Sequence, residues 1–303
     1  MNNEVIWFIS IIITILVWWT WLIFSRKSAN ILKNPFLENF LITLGALIFN
    51  VWVFIVYYIY SLTLEFQFKY FLYPFLSGIL WAFAGLFAFV SISKIWAGKA
   101  FSIWAPSGMV VSFLWGVIYY GEFASNLLYA LLSILVIIVW VSLVIHSRNK
   151  EEDSHIVYSW VLFAIAASLI WWGTYLVPLK ELTNAISVYF TLLPLNIGMV
   201  LGSFFIYLFK KKLHGLTLEN IRIGSPIILS WFMWWVWNFF AIIAVLNLWI
   251  GKAYPMAELC WVVNALFAVY FLHEIKEKSK IRLFLLGTAI SFTWAIWLSV
   301  LKI

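Results

Sequence analysis

The chain has 303 residues, of which 65% are apolar and 10% charged, with a mean hydropathy of +1.02 and a formal net charge of +7. A soluble domain carries about 25% charge and could not hide so much apolar surface, so the composition excludes a soluble globular fold. One cysteine, Cys260, excludes an internal disulfide and any cysteine-based metal cluster.

Ten apolar runs follow along the chain, near 5–24, 39–60, 70–93, 100–119, 124–146, 155–177, 185–209, 224–248, 253–272 and 281–301. Each is about as long as a helix that crosses a hydrocarbon core of about 30 Å. Backbone groups in lipid must be satisfied within each segment, which favours helices. The reading is an all-α polytopic membrane protein with ten transmembrane helices. The first run is not read as a cleavable signal: "MNNEV" has no basic residue and no small-x-small site follows "WWTWLIF". Small residues that allow close packing are expected in the third segment, at Gly78, Ala82, Ala84 and Gly85. No Gly-x-x-x-Gly pair is expected at depth.

The basic residues sit in short loops beside helix ends, which points to membrane topology rather than to nucleic acid. With alternating segments, one side receives 15 of the 19 Lys and Arg residues, among them Arg26, Lys27, Lys210, Lys211 and Lys212. The other side receives Lys69, Lys180, Lys252 and Lys302. The positive-inside rule then puts both termini outside and residues 146–155 in the cytoplasm.

"WAGKAF", from Trp96, returns as "WIGKAY", from Trp249, 153 residues later. In the same register Trp18 matches Trp171, Gly45 matches Gly198 and Trp81 matches Trp234. A common register across four segments indicates a duplication. Its halves are residues 1–146 and 156–303, joined by the charged linker 147–155 ("SRNKEEDSH"). Five segments per half is an odd number, so the second repeat enters the membrane inverted, the plan of secondary transporters with a site near the midplane. Gly98 and Gly251 are expected to permit sharp reversals between helices, with Lys99 and Lys252 as snorkelling anchors or as anion-attracting residues at the two mouths.

The run Ser77 to Met109, "SGILWAFAGLFAFVSISKIWAGKAFSIWAPSGM", resembles the third and fourth helices of the glucose/ribose uptake family of the drug/metabolite transporter superfamily. Gly121-Glu122 resembles that family's close of the fourth helix, "NPFLENFLITLGALIF" its second helix, and "HEIKEKSKIRLFLLGTAI" its ending with His in place of Gly. The resemblance implies a ten-helix carrier of two inverted repeats that takes up sugars or related small polar solutes, often with protons. The chain departs from the pattern after "WAF", where Gly85, Phe87 and Ala88 stand in place of polar residues.

Polar residues deep in lipid usually face the bundle interior. Asn50, Asn196 and Asn264 fall near the midplane, and Asn238 somewhat nearer the outside. Trp18, Trp81, Trp171 and Trp234 are the deep tryptophans; Trp7, Trp96 and Trp249 read as interface anchors. Trp231, Trp234 and Asn238 share a helical face. An indole beside an amide suits a ring-shaped ligand. Glu258, within the ninth segment, is the candidate for proton coupling, with Trp261 and Asn264 one and two turns beyond. Ordinary packing and interhelical hydrogen bonding remain the alternative for each residue.

The four histidines lack metal-ligand spacing, and no phosphate loop, dinucleotide turn or HExxH motif occurs. No cofactor, metal, nucleic-acid partner or enzymatic activity is therefore expected. The reading is a plasma-membrane secondary transporter of small organic, sugar-like solutes working by alternating access, with H+ as a candidate co-substrate. Two alternatives stay open: a carrier of aromatic or amphipathic metabolites or amino acids, and a non-transporting membrane scaffold or partner subunit.

Overall fold

Every element described in the computed structural model is helical, as an apolar chain requires when its backbone groups have only each other for partners. The structure describes residues 9–10, 12–13, 31–61, 68–95, 97–121, 127–146, 159–170, 188–209, 217–247, 266, 269–270, 275 and 277–300. The helices are α1 (Pro35–Ser61), α2 (Phe68–Ile95), α3 (Ala97–Leu114), α4 (Leu127–His146), α5 (Ser159–Ile170), α6 (Val188–Phe209), α7 (Leu218–Asn247) and α8 (Lys278–Val300). They correspond to the second to eighth and the tenth apolar runs. Among the described residues, Pro35–Tyr60, Phe68–Ile92 and Phe190–Phe209 are long and apolar enough to cross a membrane.

The ends follow local chemistry. Asn34 caps α1, its Oδ1 accepting the Leu37 N–H at 3.3 Å, with Pro35 in the first helical position. Thr217 caps α7 in the same way, Oγ1 accepting the Asn220 N–H at 3.1 Å. α3 passes into a π-helical turn, Trp115–Tyr119, where the Tyr120 N–H donates to the Trp115 carbonyl at 3.2 Å. Gly121 then takes φ +66°, the left-handed conformation that favours glycine, and ends the element at the expected Gly-Glu. Gly98 is not itself the reversal between α2 and α3, because it lies inside the first turn of α3.

Four helices form the centre. Leu41, Gly45 and Phe49 of α1 meet Gly224, Ile228 and Phe232 of α7 in ascending order, so these two helices run parallel. Phe75 and Ile79 of α2 meet Gly198 and Gly202 of α6, also parallel. α1 crosses α6 antiparallel: Thr43 faces Ser203, their hydroxyls 2.8 Å apart, while Phe40 stacks near Tyr207 and Phe54 near Phe190. At the periphery α4 and α8 run antiparallel, Trp140 against Gly287 and Tyr129 near Trp297. Ser91 Oγ on α2 donates to the Trp160 carbonyl at 3.1 Å, and Ser168 Oγ donates to the Trp104 carbonyl of α3 at 2.8 Å, which docks α5.

Two contacts recur at the repeat interval. Gly45 abuts the carbonyl of Ile228, and Gly198 abuts the carbonyl of Phe75. Gly45 and Gly198 are 153 residues apart, as are Phe75 and Ile228. Gly198 and Gly202, four apart and both packed on α2, correct the expectation that no Gly-x-x-x-Gly pair lies at depth. A Cβ at Gly45 or Gly198 would run into the facing backbone oxygen, which cannot move without shifting a helix. Gly45→Ala and Gly198→Ala are each expected to destabilise the bundle by about 1–3 kcal/mol, the usual cost of overpacking. Thermal unfolding in detergent measures it, and an unchanged midpoint for either variant would contradict the close approach.

Candidate functional site

Indole rings fill the middle of the four-helix centre. Trp81 on α2 and Trp231, Trp234 and Trp235 on α7 are at most 2% exposed. Trp231, Trp234, Trp235 and Asn238 recur at helical spacing, which gathers them on one side of α7. The Trp81 ring lies edge-on to Trp231 at 5.6 Å and tilted to Trp234 at 6.3 Å. Trp231 and Trp234 are 4.6 Å apart, and Trp234 meets Trp235 edge-on at 5.5 Å. Trp81 and Trp234 are thus repeat equivalents in contact with each other.

Buried amides stand on the same four helices. Asn50 on α1 and Asn196 on α6 are fully buried, and each turns its Nδ2 back onto its own helix, to Ala46 O at 2.9 Å and to Leu192 O at 2.7 Å. Their Oδ1 atoms receive no donor among the described residues. Their heights follow from the Thr43–Ser203 hydroxyl pair. Moving that pair by the repeat interval gives Asn196 and Asn50, so the two asparagines stand level across the α1–α6 crossing. Asn238 on α7 is also fully buried.

Of the sequence candidates, Trp81 and Trp234 are in contact, and Asn50, Asn196 and Asn238 are buried on the same four central helices. Trp18, Trp171, Glu258, Trp261 and Asn264 lie outside the described residues. Two polar residues were missed by the sequence reading. Asn39, fully buried, donates from Nδ2 to the Ala82 carbonyl of α2 at 2.9 Å. Its signal was the helical stripe Asn39, Thr43, Asn50 along α1. Glu38 is 6% exposed in the first turn of α1, so Glu258 is not the only acid set among apolar residues. The cap at Asn34 starts the helix before the apolar run does, and Glu38 falls in that interval.

A cavity of about 630 Å³ opens between α1 and α7, lined by aromatic and aliphatic side chains including Phe49, Trp52, Tyr57, Phe232 and Phe239. Its volume suits a small organic molecule. Its walls are apolar, and none of the asparagines that the sequence reading singles out lines it.

The chain is similar to known proteins over nearly its whole length. A family profile described as "Sugar transport protein" matches residues 9–301. YxfA of Lactococcus lactis, named for sugar uptake, is 25% identical over 269 residues, covering 86% of this chain and 87% of that protein. The glucose uptake protein GlcU of Bacillus subtilis is 23% identical over 292 residues, covering 95% and 96%. A solved crystal structure of a protein superposes with a TM-score of 0.53 over 99% of both chains at 15% identity, a likeness of fold.

A buried acceptor without a donor costs free energy that an apolar group of the same shape does not. Asn50→Leu and Asn196→Leu are each expected to hold or raise stability, by up to about 1 kcal/mol. Thermal unfolding in detergent reads the sign. Losses above about 2 kcal/mol would mean that the amide oxygens have structural partners after all.

Proposed function

The chain belongs to the sugar transport protein family, and from that premise we propose that it is a secondary carrier of sugar-like solutes working by alternating access. The observation that carries this reading is the pair of buried amide oxygens, of Asn50 and Asn196, that meet no donor among the described residues, on the same four helices as the paired indoles Trp81 and Trp234. A pyranose ring offers the complementary surface: an axial C–H face for an indole, and hydroxyl donors for amide oxygens. Asn50, Trp81, Asn196, Trp234 and Asn238 form the core of the proposed site, and Trp18, Trp171, Trp261 and Asn264 complete it. A structural scaffold gains nothing from unmatched acceptors in its core, which favours transport over that alternative.

The proposed architecture is ten spans in two inverted five-helix repeats, residues 1–146 and 156–303, joined by 147–155. The parallel pairs α1–α7 and α2–α6 and the antiparallel pairs α1–α6 and α4–α8 support it, because alternating spans give those directions. The glycine contacts that recur at 153 residues support it further. The apolar cavity between α1 and α7 favours a second reading, a carrier of aromatic or amphipathic metabolites.

Glu258 is the proposed proton-coupling group, since a carboxylate in an apolar span is costly to keep charged and takes up a proton more readily. Purified protein in liposomes loaded with D-glucose, D-ribose, a nucleoside or an aromatic amino acid tests both proposals by counterflow. Exchange of a sugar is the expected result, accelerated by an inward proton gradient. Glu258→Gln should keep the exchange and lose the acceleration. Exchange of the aromatic amino acid alone would move the assignment to the second reading, and accumulation driven by the gradient in Glu258→Gln would remove the coupling role.

Both termini are proposed to lie outside the cell, from the uneven loop charge. In a Cys260→Ser background, an impermeant thiol reagent added to intact cells should label Asn2→Cys and spare Ser147→Cys. The reverse pattern would invert the topology.

A further inference from the structure

The cavity between α1 and α7 changes character along its length. The two helices touch through backbone at Gly45 and Ile228, and beyond Phe49 and Phe232 a space of about 630 Å³ stands between them. Its closed end is made of rings. Phe49, 4% exposed, meets Phe232 edge-on at 5.3 Å and Phe239 at 6.2 Å and 70°, and Trp52 tilts against it at 6.2 Å. Rings crossed at such angles present both faces and edges, the surfaces against which a flat aromatic group packs. The α7 wall, which continues with Val236 and Phe240, carries no hydrogen-bonding side chain among the described residues. The α1 wall ends differently. Tyr57 and Tyr60 line it about 12 and 16 Å beyond Phe49 along the helix axis, and Tyr60 is 85% exposed.

A free sugar matches only one end of this space. Each hydroxyl drawn into the ring-lined end would leave water without a partner there. A purely apolar molecule matches the rings and leaves the phenols of Tyr57 and Tyr60 unused. A ligand that meets both ends has an aromatic group at one end and hydroxyls at the other. The carrier reading supplies the polar half, a sugar. Tyr57 also shares a face of α1 with Val53 and Asn50 at helical spacing. A sugar at the tyrosines is thus about 10 Å along the axis from the level of Asn50, beside the proposed amide site.

We propose that this cavity is a binding site for aryl glycosides, with the aromatic aglycone seated on Phe49, Phe232 and Phe239 and the sugar hydroxyls at Tyr57 and Tyr60. This rests on the carrier reading above and extends it from free sugars to sugars bearing an aromatic substituent. The ring-lined end selects the aglycone, and the phenols hold the sugar on the face of α1 that leads to Asn50.

The test is counterflow of D-glucose in liposomes, with para-nitrophenyl β-D-glucopyranoside, methyl β-D-glucopyranoside and para-nitrophenol as competitors. The aryl glucoside should half-inhibit at a concentration lower than the methyl glucoside by about tenfold or more, the scale of discrimination by an apolar pocket, and para-nitrophenol alone should inhibit weakly. Val236→Trp, which fills the cavity from α7, should erase the advantage of the aryl glucoside and leave the half-saturation of D-glucose unchanged. Glucose exchange without an advantage for the aryl glucoside overturns the inference and leaves the carrier reading intact. So does a folded Val236→Trp carrier that keeps the advantage or loses affinity equally for glucose and both glucosides. Inhibition by para-nitrophenol as strong as by its glucoside assigns the cavity to apolar molecules in general, lipid included, and overturns it as well. Wild-type liposomes that exchange no sugar overturn both readings. Should Val236→Trp fail to fold, Val56→Phe narrows the same space from α1 and decides by the same criteria.

Discussion

The contact on which this bundle depends is the approach of helix backbones at two glycines. Helices in lipid gain no hydrophobic energy by meeting, since lipid tails are as apolar as leucine; they associate through dispersion contacts and interhelical hydrogen bonds. Dispersion weakens steeply once atoms separate, so whichever surfaces can approach most closely set the arrangement. Gly45 against the Ile228 carbonyl and Gly198 against the Phe75 carbonyl are such surfaces. With α1 held to α7 and α2 to α6, the α1–α6 crossing is fixed at the Thr43–Ser203 pair. Trp81 and Trp234 then have nowhere to go but against each other.

That frame is rigid enough to hold polar groups without satisfying them. Native interiors pair nearly all their buried polar atoms. Yet Asn39, Asn50 and Asn196 each bury an amide oxygen that meets no donor among the described residues. Each amide does use its nitrogen, on a carbonyl 2.7–2.9 Å away, which fixes the orientation of the side chain. The nitrogen bond aims the group and the oxygen is left available. A leucine at any of these positions would pack as well and cost less, which is why Asn50 and Asn196 belong to the proposed site.

How far this was legible depends on what each signal measures. Trp81 with Trp234 and Gly45 with Gly198 were readable from the repeat, because pairs at one interval need no knowledge of packing. Apolar runs located the helices but not their ends: α1 starts at Pro35 and α7 at Leu218, several residues before the runs at 39 and 224, because side-chain caps and polar first turns are helical without being hydrophobic. Asn39 escaped because depth in the membrane says nothing about which neighbour leaves space. Gly85 reads in sequence as lost polarity after "WAF"; in three dimensions it is the opening through which an amide from another helix reaches the same place. Glu38 escaped for the same reason as the helix start, and the Gly198–Gly202 pair because the small residues of α2 drew the search to one helix of an interface made by two.

The matched contacts of the two halves bear on how a duplicated carrier could alternate. Alternating access needs two conformations within a few kcal/mol of each other, or a substrate cannot shift the balance between them. On the proposed inverted architecture, each conformation is close to the other with the roles of the halves exchanged, so a chain with identical halves would hold them near balance by symmetry alone. The halves here are far from identical, yet the features that meet at the centre are matched in kind: a glycine against a backbone carbonyl in each, and one central indole, Trp81 or Trp234, in each. On the proposed architecture, matching at these contacts is what would keep the two conformations close in energy while the rest of the sequence diverges.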